Sequence, residues 1–193
     1  MLVWTVLSKF AFLVGLVWLV SEIVLARVTF SKSDKAKGLD RSSLRFLWLI
    51  IGVSIAAGIY LGSRGIGYIA TGSLVISVAG LVLIFLGLAI RWTAILTLRR
   101  HFTVNVNIGD SHELIDAGIY RFVRHPAYTG SLLSFLGLGL TFSNWLSTLV
   151  IFVPIFFAFA YRIRVEEQAL GEHFGDKYEQ YCLKTRRLLP MIY

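Results

Sequence analysis

Four stretches of this chain, at about residues 3 to 25, 46 to 62, 68 to 96 and 145 to 161, are long apolar runs with few charges, and a shorter one extends from Tyr128 to Phe142. The hydrocarbon core of a bilayer is roughly 30 Å thick and takes about 20 mostly apolar helical residues to cross. With 56% hydrophobic and 16% charged residues in 193 and a mean hydropathy of +0.73, the composition lies far from that of water-soluble domains. Only helices and closed barrels satisfy their backbone in lipid, and runs of this length without period-2 alternation select helices. The expected fold is an all-α integral membrane protein of about five transmembrane helices. The fourth, too short to cross upright with ease, pairs with the fifth as a tight hairpin turned at Ser143-Asn144.

The first run is read as a span rather than a cleaved leader. Its apolar segment is long, and neither a charged leading region nor a small-residue cleavage pattern accompanies it. The single Cys182 cannot form an internal disulfide, and no Cys/His spacing suggests a metal site. Orientation follows from Lys and Arg, which are retained on the cytoplasmic side of spans. They concentrate between spans one and two (Arg27 to Arg45), after span three (Arg99, Arg100, Arg121, Arg124) and in the tail beyond span five (Arg162 to Arg187). Five spans put all three groups on one side, so the amino terminus is expected outside and the carboxyl terminus in the cytoplasm. Topology and anionic headgroups account for the net charge of +8, and no nucleic-acid partner is expected.

Two functional regions are expected. Residues 1–97 hold spans one to three, with a basic connector from Ser31 to Ser43 read as a solvated loop, and carry little chemistry. Lys9 and Glu22 are read as snorkelling to an interface. Gly80 and Gly87 in span three, and Gly130, Ser134 and Gly137 in span four, form small-residue stripes that let helices approach closely.

Residues 98–193 are of different character. A polar loop through Asn105, Asn107, Gly109 and Asp110 leads to Gly118-x-Tyr120-x-x-x-Arg124-His125-Pro126-x-Tyr128-x-Gly130. Gly118 suits a left-handed turn, and His125-Pro126 predicts an extended residue followed by a helix starting on the proline. Such a helix start favours anionic ligand groups. At the end of span five, Arg162 stands one helical turn before Glu166, with Glu167 adjacent. Ionisable groups held at a membrane boundary cost free energy and so mark a site. Beyond them, Leu170, Phe174, Tyr178 and Tyr181 recur at helical spacing around Gly175, predicting two short amphipathic helices that close over a pocket at the membrane surface. Tyr178 and Tyr181 are read as packing residues.

The ordered set Leu114, Gly118, Tyr120, Arg124-His125-Pro126, Tyr128, Gly130, Glu166-Glu167, Leu170, Phe174-Gly175, Tyr178, Tyr181 and Pro190 resembles the isoprenylcysteine carboxyl methyltransferase family, in particular its short five-span prokaryotic members, over about residues 98 to 193. Ile119 stands where related membrane methyltransferases often have proline, which leaves the substrate class open. The resemblance implies methyl transfer from S-adenosylmethionine to a lipophilic or prenylated acceptor at the cytoplasmic face, among membrane lipids. No Gly-rich strand-turn-helix pattern is present, so the cofactor pocket is expected to be helical and non-Rossmann. Carried across by the resemblance, the cofactor-binding residues are Leu114, Gly118, Tyr120, Arg124, His125, Pro126, Tyr128 and Glu167, and the catalytic residues are Arg162 and Glu166. A prenylcysteine carboxylate is the favoured acceptor; a thiol or phospholipid amine, a nicotinamide-dependent sterol-type reductase and a non-catalytic lipid-binding scaffold remain open as alternatives.

Overall fold

The computed structural model describes residues 13–15, 17, 18, 20–22, 38–98 and 114–188. The polar loop at 105–112, Lys9 and Pro190 lie outside them. Among the described residues the helices are, in order, α1 (Leu13–Glu22), α2 (Gly38–Arg64), α3 (Ser73–Leu98), α4 (Pro126–Thr141), α5 (Trp145–Phe174) and α6 (Asp176–Lys184), with a 3-10 turn at Gly118–Arg121 before α4. Among the described residues there is no β-strand beyond isolated bridges. The molecule is all-helical, as expected. Helices α2, α3 and α5 are long and apolar enough to cross a membrane. Their outward faces carry Leu49, Val53, Val75, Val82, Phe85, Val153 and Phe157, all exposed, which suits lipid rather than water. Helix α4 has 16 residues, short of an upright span. Most of the first expected span lies outside the described residues.

Three element boundaries differ from the sequence reading. Helix α2 starts at Gly38, inside the connector expected to be solvated, and Ser43 is buried. Residues 38 to 45 contain no proline, so the helix continues through its charged first turns once its apolar part is packed. Helix α3 starts at Ser73 rather than near Tyr68, because Gly65, Gly67 and Gly72 adopt positive φ and turn the chain. Helix α5 runs on to Phe174, carrying Arg162, Glu166 and Glu167 on one rigid element, and ends only where Gly175 takes φ 52°. The segment from 167 to 174 is thus a continuation of the span, and α6 alone is the short amphipathic helix.

The α4–α5 hairpin turns at Ser143-Asn144 as expected. Ser143 takes φ 44°, and the Asn144 carboxamide oxygen accepts from the Ser147 backbone N–H at 3.0 Å, capping α5. That turn is tied to the α2–α3 turn: Asn144 Nδ2 donates to the Ile66 carbonyl at 2.7 Å, Ile69 N–H to the Ser143 carbonyl at 2.8 Å, and Ser143 Oγ to the Ser73 carbonyl at 2.6 Å.

Two helix pairs make the bundle. On α2 and α5, Ser147 Oγ donates to the Gly58 carbonyl at 2.9 Å, while Ile51, Ile151, Ile155 and Phe159 share the core. On α3 and α4 the two small-residue stripes face each other. A Cβ on Gly80 would stand 2.6 Å from the Gly137 carbonyl oxygen, and one on Gly87 would collide with Ser134 Oγ and the Gly130 carbonyl. Backbone meets backbone there, as small-residue packing allows.

Glu22 does not snorkel. Its carboxylate pairs with Arg91 of α3, whose Nη1 also donates to Ser131 Oγ at 3.0 Å and to the Ala127 carbonyl at 3.3 Å. Trp18 Nε1 donates to the same carboxylate at 3.2 Å. An arginine this far inside an apolar bundle needs a counter-charge, and α1 supplies it. Replacing Glu22 by Ala is expected to destabilise the protein by about 3–5 kcal/mol, because a buried guanidinium loses its partner, while adding Arg91→Met recovers most of the loss. Thermal melts of the single and double variants in detergent check both expectations.

Candidate active site

The polar residues expected to form a site converge at one end of the bundle, where the start of α4, the end of α5 and the segment after α6 meet. Gly118 takes φ 58°, as the turn requires, and opens the 3-10 turn that leads the chain to α4. Tyr120 is buried beside Ala94 and Ala127, and its carbonyl accepts from the Tyr181 hydroxyl at 2.7 Å. Helix α4 begins on Pro126 as expected. His125 has φ −123° but ψ 55°, so it is less extended than its position before proline predicts.

Residues 122 to 125 are held in a short ladder by the tail. Arg186 N–H donates to the Phe122 carbonyl at 3.2 Å, Arg124 N–H to the Arg186 carbonyl at 2.7 Å and His125 N–H to the Arg187 carbonyl at 3.0 Å. Thr129 Oγ1 donates to the Leu188 carbonyl at 2.7 Å. The start of α4 is thereby stapled to the tail beyond α6, which satisfies backbone groups that a helix terminus leaves open.

Two carboxylates on adjacent positions of α5 organise the side chains. Glu167 is the more heavily engaged. Arg124 Nε donates to its Oε1 at 3.0 Å, Arg187 Nε to its Oε2 at 2.8 Å, and His125 Nε2 lies 3.4 Å from Oε1. Arg124 Nη1 also donates to the carbonyls of Thr185 at 2.7 Å and Cys182 at 3.2 Å. Glu166 accepts instead from the Tyr128 hydroxyl at 2.7 Å. Tyr128 stacks on the His125 ring, with centroids 5.7 Å apart and planes at 18°, and interacts with Arg162 as well as with Glu166. Arg162 is 1% exposed, and its Nη1 donates to Ser43 Oγ of α2 at 2.6 Å.

Of the residues singled out from the sequence, Arg124, His125, Tyr128, Arg162, Glu166 and Glu167 form this one connected cluster. Pro126 starts the helix that carries Tyr128, and Tyr120 packs behind it. Leu114 is partly exposed, and no contact places it with the others. Two participants escaped the sequence reading. Arg187 was visible only as half of an Arg-Arg pair in a basic tail, and Ser43 lay in the presumed loop. Tyr178 and Tyr181 are buried, as packing residues should be, and burial holds both phenols well above their ordinary pKa, so they stay neutral. The Tyr178 hydroxyl has no hydrogen-bond partner among the described residues.

A carboxylate-rich, arginine-rich cluster at the end of an all-helical apolar bundle defines an integral membrane protein with a polar site at one mouth of the bundle. The chain belongs to the phospholipid methyltransferase family, whose model matches residues 75–177. It is 38% identical over 119 residues to a probable protein-S-isoprenylcysteine O-methyltransferase of Oryza sativa subsp. indica, a match covering 61% of this chain and 62% of that one. It is 34% identical over 119 residues to protein-S-isoprenylcysteine O-methyltransferase B of Arabidopsis thaliana, covering 61% and 60%. The matches therefore span about six tenths of these relatives' length. A solved structure of the eukaryotic intramembrane Ras methyltransferase, an isoprenylcysteine carboxyl methyltransferase, superposes with a TM-score of 0.62 at 27% identity, over 75% of this chain and 52% of that one. The resemblance drawn from the motif residues is borne out.

Proposed function

We propose that this chain is an integral membrane methyltransferase that uses S-adenosylmethionine and methylates a lipophilic acceptor, with a prenylcysteine carboxylate as the favoured acceptor. The observation that carries the reading is the cluster itself: carboxylates of Glu166 and Glu167, guanidinium groups of Arg124 and Arg162, and His125, gathered from three segments at one end of an apolar bundle. Its mixed charges complement the zwitterionic amino-acid portion of the cofactor, and the buried hydroxyl of Tyr178, without a hydrogen-bond partner among the described residues, offers one further polar contact. The residues fit the group. When bound, S-adenosylmethionine supplies a methyl carried on a sulfonium. No soluble-type nucleotide fold is needed to hold it; Arg124, His125 and Glu167 are the residues assigned to that task, supported by Tyr120, Tyr128 and the backbone from Leu114 to Pro126.

The acceptor carboxylate is ionised near pH 7, so no general base is required. Arg162 orients that carboxylate. Glu166, fixed by Tyr128, balances the guanidinium and holds the charge pattern around it. The apolar surroundings exclude water, and alignment then contributes most of the rate. A second reading has its own support. The matched family model is that of phospholipid methyltransferases, and an amine acceptor would give up its proton to Glu166. The site is assigned to the cytoplasmic face, because the Lys and Arg distribution orients it there.

Calorimetry of the detergent-purified protein tests the cofactor first. Saturable binding of S-adenosylmethionine is expected, with at least a tenfold loss in a His125→Ala, Glu167→Ala double variant, on the scale of about 1.5–3 kcal/mol for hydrogen bonds to charged groups. Binding of NADPH instead would replace the reading with a reductase, and a folded protein binding neither would leave a scaffold.

A further inference from the structure

Ser43 lies on α2, outside the region matched by the family model and 119 positions before the arginine it touches. Both groups are buried, Ser43 and Arg162 each to 1% exposure, and the 2.6 Å bond joins them across the α2–α5 interface. We infer that Ser43 is a positioning residue for the methyl acceptor: its hydroxyl fixes the Arg162 guanidinium in the orientation that receives the acceptor's anionic group. The inference rests on the methyltransferase reading and adds to it a contribution from the amino-terminal half of the chain.

Three observations converge on it. Arginine has a long side chain with much rotamer freedom, and its fork recognises a carboxylate only when its plane is set. Ser43 has one side-chain torsion and stands on a helix locked to α5 at a second point, where Ser147 Oγ donates to the Gly58 carbonyl at 2.9 Å. The acceptor position of its oxygen is therefore defined by the backbone. Arg162 also interacts with Tyr128, whose hydroxyl donates to Glu166, so that a shift at Ser43 reaches both assigned catalytic residues.

The test compares wild type, Ser43→Ala and Ser43→Thr in steady-state methylation of N-acetyl-S-farnesylcysteine, with S-adenosylmethionine affinity measured separately by calorimetry. The expected result is that Ser43→Ala lowers kcat by about 10-fold to 100-fold, the scale of a small misplacement in a site that works by alignment. Cofactor affinity is expected to stay unchanged, and the hydroxyl of Ser43→Thr to restore most of kcat. Wild-type kcat in Ser43→Ala would overturn the inference and leave the methyltransferase reading standing. Equal losses in the Ala and Thr variants, or a parallel loss of cofactor binding, would overturn it in favour of simple helix packing. A wild-type protein that binds the cofactor yet methylates no prenylcysteine would remove the acceptor reading, and the inference with it.

Discussion

Replacing Arg162 by Gln is expected to lower methyl transfer to a prenylcysteine carboxylate by about 100-fold to 1,000-fold, the range seen when a preorganised charge-stabilising donor is removed. The expectation comes from where this side chain sits. It is enclosed by α2 and α5, hydrogen-bonded to Ser43 and in contact with Tyr128, on the same helix as Glu166 and Glu167. Gln retains a donor and much of the length but loses the positive charge, so an anionic acceptor is no longer held. Cofactor affinity should change little, since Arg124 and Arg187 are fixed on the Glu167 carboxylate by bonds of their own. Single-turnover methylation together with S-adenosylmethionine titration distinguishes the two effects. Full turnover by the variant would remove Arg162 from the mechanism, and lost cofactor binding would move it into the cofactor site.

A large structural effect is also expected at Gly87. A Cβ there collides with the Gly130 carbonyl and with Ser134 Oγ, so leucine has nowhere to go unless α3 and α4 separate. Separation would also break the Arg91 bond to Ser131 and draw Pro126 and His125 away from α5. Overpacking in a well-packed core costs about 1–3 kcal/mol, and backbone atoms cannot yield as side chains do, so Gly87→Leu is expected at or above the top of that range. Monodisperse folded protein should be scarce after detergent extraction, whereas Gly52→Leu, where an added Cβ meets nothing within 4 Å, should behave as wild type. Size-exclusion chromatography with a thermal melt compares them. An unchanged melt for Gly87→Leu would mean the two helices are not held at this distance.

What the sequence disclosed and what it hid follow a physical division. The Gly118 turn, the helix start at Pro126, the Ser143-Asn144 hairpin and the small-residue stripe on each of α3 and α4 are local patterns, each legible within a few turns of chain. Most of the polar cluster was legible for a related reason, since ionisable residues beside apolar runs announce themselves. Ser43 and the Arg91–Glu22 pair were not. Their partners stand 119 and 69 positions away, and neither a serine in a basic connector nor a glutamate in an apolar helix carries a mark of its distant contact. The ends of α2 and α5 were misjudged because hydropathy falls where the membrane stops, whereas a helix stops only at a breaker. For α5 that breaker is Gly175, well beyond the last apolar run.

The contact between α3 and α4 also bears on how a lipid-like molecule could travel. Where a single carbon on Gly80 would stand 2.6 Å from a carbonyl oxygen, no methylene chain can pass. At Gly80 and Gly87 this seam is therefore closed to a lipid chain, and on the proposed reading an acceptor reaches the polar mouth around another flank of the molecule. Widening the seam would not open a door; it would dismantle the frame on which His125 and Tyr128 are hung.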